Sequence, residues 1–201
     1  MRYIIFFLLL FAFAGEATAQ EETLFNLDGE KGGFGGPVVK FTSIKNQTAV
    51  MAGGRGGWII DHSLVLGGGA YAIVNDVDAP TGVLPLEGPL DIEFAYFGFE
   101  MEYIFDPMSL AHFSIYTLLG GGATNFVKDV GSAAQSNQQV GETGFMFVAE
   151  PAVNAELNFT TWFRMSAGVS YRIVTGLSQV GLKNSDFSGV TATLTLKFGT
   201  F

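Results

Sequence analysis

Cysteine is absent from this chain of 201 residues. A thiolate zinc or iron–sulfur centre is therefore excluded, and no disulfide can hold the fold. Charge is scarce as well. Asp, Glu, Lys and Arg make up 14% of the residues, against about a quarter in ordinary soluble domains. Basic residues are scarcest, ten Lys and Arg against nineteen Asp and Glu, for a net charge of -9. That balance argues against nucleic acid, whose phosphates demand Lys and Arg, and against a polybasic membrane-surface patch. With two histidines and no thiol, a transition-metal site lacks ligands. No metal and no other cofactor is expected.

Long apolar runs are also missing after the first residues, although 48% of the chain is hydrophobic and twenty residues are Phe. A helical membrane protein shows runs of about 18 or more apolar residues. Spreading apolar side chains over every second position of many strands is the other way to live in lipid. It works only when the sheet closes into a barrel, because lipid satisfies no free sheet edge.

The N-terminus reads as an export signal. Arg2 supplies positive charge, residues 3–14 (YIIFFLLLFAFA) a short apolar core, and Ala17-Thr18-Ala19 an A-x-A cleavage site, as in a secretory signal peptide. The core is too short for a spanning helix. Residues 1–19 are thus assigned to the signal, 20–33 (polar, acidic, Gly-ended) to a flexible periplasmic lead-in, and 34–201 to an outer-membrane barrel.

From Phe34 onward, alternating segments and turn signals take turns, and eight segments are predicted as strands: 36–44, 48–60, 64–75, 90–105, 111–123, 144–157, 161–174 and 188–198. The links after the second, fourth and sixth are short; those after the third, fifth and seventh are long. Outer-membrane barrels have this asymmetry, with short periplasmic turns and longer outer loops. An all-β, eight-stranded, antiparallel up-and-down transmembrane barrel is expected, with outer loops 76–89, 125–143 and 175–187. In segment 90–105 the apolar parity flips, from Ile92, Phe94 and Tyr96 to Phe97, Phe99 and Met101. A β-bulge near residues 96–98 would restore one lipid face.

The chain ends in Phe201. With the signal and the alternating segments, that terminal aromatic resembles the bacterial outer-membrane β-barrel family. Its size resembles the OmpA transmembrane domain, OmpX and OmpW. The run Glu150-Pro151 … Glu156-Leu157-Asn158 … Trp162 … Ser170-Tyr171-Arg172 is similar to that of other small barrels. The resemblance implies that Phe201 is an insertion signal read by the barrel-insertion machinery, and it names no activity. Leu194, Leu196 and Phe198 stand one residue out of phase with Phe201.

Charges within strands fall opposite the apolar faces: Lys40, Arg55, Asp91, Glu93, Glu100, Glu102, Glu150, Glu156, Arg164, Arg172 and Lys197. A lipid-facing Arg or Lys costs about 2–4 kcal/mol at mid-bilayer. These side chains are therefore expected in the lumen as a paired charge network, with Arg164 and Arg172 serving Glu150 and Glu156 on the preceding strand. The alternative is a narrow polar pathway or ligand site. His112 and Ser114 share one strand face, about 6.8 Å apart. That His-x-Ser is similar to the one in lipid A deacylases, which are eight-stranded barrels with a catalytic His, Ser and Glu. Their substrate sits in the outer leaflet, whereas His112 falls near a periplasmic turn, so no catalytic residue is assigned. Asp76 and Asp78 read as solvated loop acids, and the glycine clusters as strand bends rather than phosphate loops. Trp58, Tyr103, Phe105 and Phe113 are expected in an interfacial girdle; Trp162 has inward parity by counting.

The functional expectation is a non-enzymatic barrel with a structural or surface-interaction role, contacting outer-membrane lipid and presenting its outer loops to an extracellular ligand or protein. The alternative is a narrow channel for small or apolar solutes, and after it a lipid-modifying enzyme.

Overall fold

The computed structural model describes residues 31–84, 88–128 and 138–201. The proposed signal peptide and residues 20–30 lie outside them. Eight strands follow in chain order: β1 Lys31–Ile44, β2 Gln47–Ile60, β3 Leu64–Ile73, β4 Asp91–Phe105, β5 Ala111–Lys128, β6 Gln138–Asn158, β7 Phe163–Thr175 and β8 Gly189–Thr200. One helical turn, α1, covers Asn184–Phe187. Each strand pairs antiparallel with its sequence neighbours, and β8 pairs back onto β1 to close the barrel. Closure removes both sheet edges, the condition for strands in lipid.

Turn chemistry sets the two ends. Lys45 and Asn46 both adopt positive φ (50° and 62°), as a two-residue type I′ hairpin turn requires. Residues 61–63, 106–110 and 159–162 join strands at the opposite end, which also carries the C-terminus. We refer to these as the loop end and the turn end. At the loop end β5 and β6 run further than their neighbours, pairing out to Lys128 and Gln138.

Several expectations are corrected. Residues 31–33 belong to β1, with Lys31 opposite Ile60, rather than to a lead-in. Residues 125–128 and 138–143 are strand, not loop, because β5 and β6 hold each other beyond the barrel wall. Thr175 closes β7. No bulge interrupts β4 at residues 96–98; its register with β3 and β5 runs unbroken from Ala95 to Gly98. Ile92, Phe94 and Tyr96 instead point into the lumen beside Glu100 and Glu102. Apolar character does not mark the lipid face here, because the loop-end lumen is itself apolar.

The wall is apolar outside. Trp58 (76% exposed), Phe97, Phe99, Phe113, Phe145, Phe147 and Val169 all project outward. Trp162 also projects outward and stacks on Phe198, because residues 159–162 leave the strand and break the parity count.

Candidate functional site

The lumen is the site the fold builds, and it has three tiers. At the turn end Phe34, Ile59, Val65 and Ile104 form a small apolar cluster with Phe201 against it. Phe201 lies inside: its ring stacks on Phe34 at 6.3 Å, and the Arg164 guanidinium lies 4.1 Å from its centre. The outward aromatic of the last strand is Phe198, stacked on Phe163 at 5.0 Å.

The middle tier is a continuous charge network. Arg55 bridges Glu100 (2.6 Å) and Glu102 (3.1 Å). Lys197 bridges Glu102 (3.0 Å) and Glu156 (2.6 Å). His112 Nε2 stands 3.5 Å from Glu156. Tyr71 donates its hydroxyl to Glu100 at 2.7 Å. Above it, Lys40 pairs with Glu150 at 2.8 Å, Ser170 and Tyr96 donate to the same carboxylate, and Lys40 Nζ lies 3.6 Å over the Tyr71 ring. These side chains come from all strands, which is why only closure brings them together. Gly69 and Gly168 leave the room they need. A Cβ on Gly69 would meet the Glu100 carboxylate and the Tyr71 hydroxyl, and one on Gly168 would meet the Asn154 amide oxygen.

The third tier, toward the loop end, is apolar. Ile44, Met51, Val77, Leu90, Ile92, Phe94, Phe126, Val148 and Leu182 are buried together. The segment between β7 and β8 dips into it: Phe187 is fully buried against Phe94, with ring centres 4.9 Å apart. Arg172 holds that segment down by donating to the Phe187 carbonyl at 2.6 Å.

Of the expected lumen charges, Lys40, Arg55, Glu100, Glu102, Glu150, Glu156, Arg164, Arg172 and Lys197 are buried inside. Glu93 is not. It is exposed on the outer wall with Ala95 and Phe97, and Asp91 shares that outward parity, since β4 carries no parity flip. The expected partners also differ. Glu150 meets Lys40 and Glu156 meets Lys197, while Arg164 reaches the Pro107 carbonyl and Arg172 the Phe187 carbonyl. The Lys and Arg pairs join strands at least two apart around the barrel rather than neighbours. Tyr71, Tyr96, Ser170 and Asn154 were missed as network members. Only inward parity marks them in the sequence, and it marks many others.

His112 and Ser114 are both buried, but they do not form a nucleophile and base. Ser114 Oγ lies 2.6 Å from Glu102 and 2.8 Å from Glu156 and accepts from Asn154, while His112 Nδ1 faces the Ser109 carbonyl. Among the described residues no cluster of three metal-ligating side chains occurs.

An apolar exterior around a charged, side-chain-filled interior defines a small eight-stranded transmembrane β-barrel. No family model and no curated protein matches the sequence. Among solved structures, it is similar in shape to Neisserial surface protein A, NspA (TM-score 0.48, 13% identity, 84% of this chain and 94% of that one). It is also similar to Ail, the attachment invasion locus protein of Yersinia pestis (0.46, 15%, 85% and 98%), and to the outer membrane protein OprG from Pseudomonas aeruginosa (0.46, 12%, 87% and 98%). These are likenesses of shape; the barrel assignment rests on this chain's own strand pairing.

Proposed function

We propose that this protein is a non-conducting, non-enzymatic barrel of a bacterial outer membrane that works through its loop-end surface. The observation that carries this reading is the filled lumen. A small apolar cluster, an ion-paired tier and a larger apolar tier follow one another along the axis, and the last is covered by Phe187 and Leu182. Narrow barrels fill themselves with side chains, and this one leaves no charged side chain free to line a pathway in its middle tier. The same sealing speaks against the enzyme reading, because Ser114 sits with two carboxylates away from any substrate. Contacts with an extracellular ligand or protein would then run through 76–89, the tip between β5 and β6, and 176–188. Insertion machinery would meet the last strand, with Phe198 as its lipid-facing aromatic and Phe201 as its terminal one.

Planar-bilayer recording tests the reading. Protein that shows a heat-dependent gel shift, and is therefore folded, should give no conductance steps. Reproducible steps from that same material would replace this reading with the channel one.

A further inference from the structure

Two prolines lie inside strands, Pro37 in β1 and Pro151 in β6. Proline has no N–H to give to a ladder and is therefore rare in the middle of a sheet. In lipid the loss is felt in full, because no water replaces the missing donor.

Each proline breaks one seam and leaves the other whole. Pro37 is paired with Gly54 on β2. Toward β8, however, the register passes from Gly35–Phe198 to Val38–Thr195 and leaves Gly36 and Pro37 without partners. Pro151 is paired with Thr117 on β5. Toward β7 the register passes from Ala149–Ile173 to Ala152–Ser170 and leaves Glu150 and Pro151 without partners. The seams from β1 to β5 run without a gap. The one shift between β5 and β6 falls beside Thr124, toward the loop end.

The two broken seams flank a single element, the β7–β8 hairpin. Its own register runs unbroken from Phe163–Phe198 to Arg172–Gly189. Its two neighbours, β1 and β6, are tied to each other without it. Lys40 stands three residues from Pro37 and Glu150 next to Pro151, and these two form an ion pair at 2.8 Å across the lumen, joined by Tyr96 of β4. Near the level where the backbone seams fail, side chains hold the hairpin: Ser170 donates to Glu150, and Arg172 to Thr42.

We propose that the β7–β8 hairpin, with residues 176–188 at its tip, is a separately docking unit that leaves and rejoins a body of β1 to β6 as one piece through its two proline-broken seams. Its own ladder keeps it intact, and the Lys40–Glu150 pair keeps the body from spreading. One of the outer contact segments, 176–188, rides on the unit that moves. The proposal rests on the transmembrane reading and not on the choice of partner.

Hydrogen exchange of the folded barrel in detergent micelles, read residue by residue by NMR, tests it. Amides bonded across the β6–β7 and β8–β1 seams should exchange at one common rate, at least about tenfold faster than amides bonded across β3–β4 at the same depth. Amides bonded between β7 and β8 should stay protected. Pro37→Ala restores a donor to one seam and should slow exchange at both seams by about tenfold, roughly the worth of one hydrogen bond. Pro151→Ala should do the same from the other side. If neither alanine variant folds, a cross-link replaces them, since the chain has no cysteine of its own. Val39→Cys with Leu194→Cys, register partners on β1 and β8, joined by a short bifunctional thiol reagent, should slow exchange at the distant β6–β7 seam. Exchange at the two seams no faster than at β3–β4, fast exchange confined to the residues beside each proline, or slowing only at the seam that was altered would each overturn the proposal. A heat-dependent gel shift measured on every sample separates these outcomes from failure of the barrel itself: a protein without the shift would fail the transmembrane reading first.

Discussion

The two halves of the lumen are packed by opposite chemistries. Toward the turn end Arg55 and Lys197 tie Glu100, Glu102 and Glu156 into one ladder. Toward the loop end Ile92, Phe94, Phe126 and Phe187 close the barrel with no ion pair among them. The reason lies in what each half adjoins. The loop-end half receives residues from outside the wall, Val77 and Leu90 before β4 and Leu182 and Phe187 before β8, and these apolar side chains gain by leaving water. The ion-paired ladder draws its side chains from the strands alone. A buried ion pair gives little net stability over apolar packing, yet breaking one leaves a buried charge without its partner. The apolar half should therefore yield gradually to mutation and the charged half abruptly.

The largest effect is expected at Lys197, which serves two carboxylates. Lys197→Met should cost about 3–5 kcal/mol in urea unfolding of the folded barrel in detergent or lipid. Adding Glu156→Gln to it should recover part of that loss, the coupling that a double-mutant cycle isolates. If the double variant is worse than the sum of the singles, the ladder is not acting as a unit.

Phe94→Ala, in the other half, should cost about 3 kcal/mol by lost burial and a cavity. It should show no comparable coupling to Lys197, and strong coupling there would erase the division between the halves.

Next comes Arg172→Ala. Losing a charged hydrogen bond to the Phe187 carbonyl is worth about 1.5–3 kcal/mol, and the effect should be local. Limited proteolysis of residues 176–188 should accelerate, with the barrel still running as a folded species on unboiled gels.

The smallest contrast concerns glycines. Gly69→Ala pushes a methyl group against the Glu100 carboxylate and should cost about 1–3 kcal/mol by overpacking. Gly35→Ala meets nothing within 4 Å and should be near neutral by the same unfolding measurement. Equal costs at the two sites would mean that space for the network is not what Gly69 provides.

Period-two alternation made much of this legible in advance. Along β5, β6, β7 and β8 it separates His112, Glu150, Arg164 and Lys197 from Phe113, Phe147, Phe163 and Leu194 on the other face. It misled in β4, where both faces are apolar near the loop end and parity alone does not say which is lipid. It also misplaced Trp162, since counting across a turn assumes an unbroken strand.

By itself the sequence determined the number of strands, their order, the unequal connections at the two ends and the inward parity of most charged residues. These follow from local rules of strand geometry and turn chemistry. Tertiary structure alone decided that Lys40 reaches Glu150 and Lys197 reaches Glu156, that Glu93 stands on the outer wall, and that Phe201 turns into the lumen. Those outcomes depend on how far each strand is staggered against the next when the sheet closes on itself. That stagger brings together residues about a hundred positions apart in the chain, as it does Lys40 and Glu150, and no local pattern encodes it.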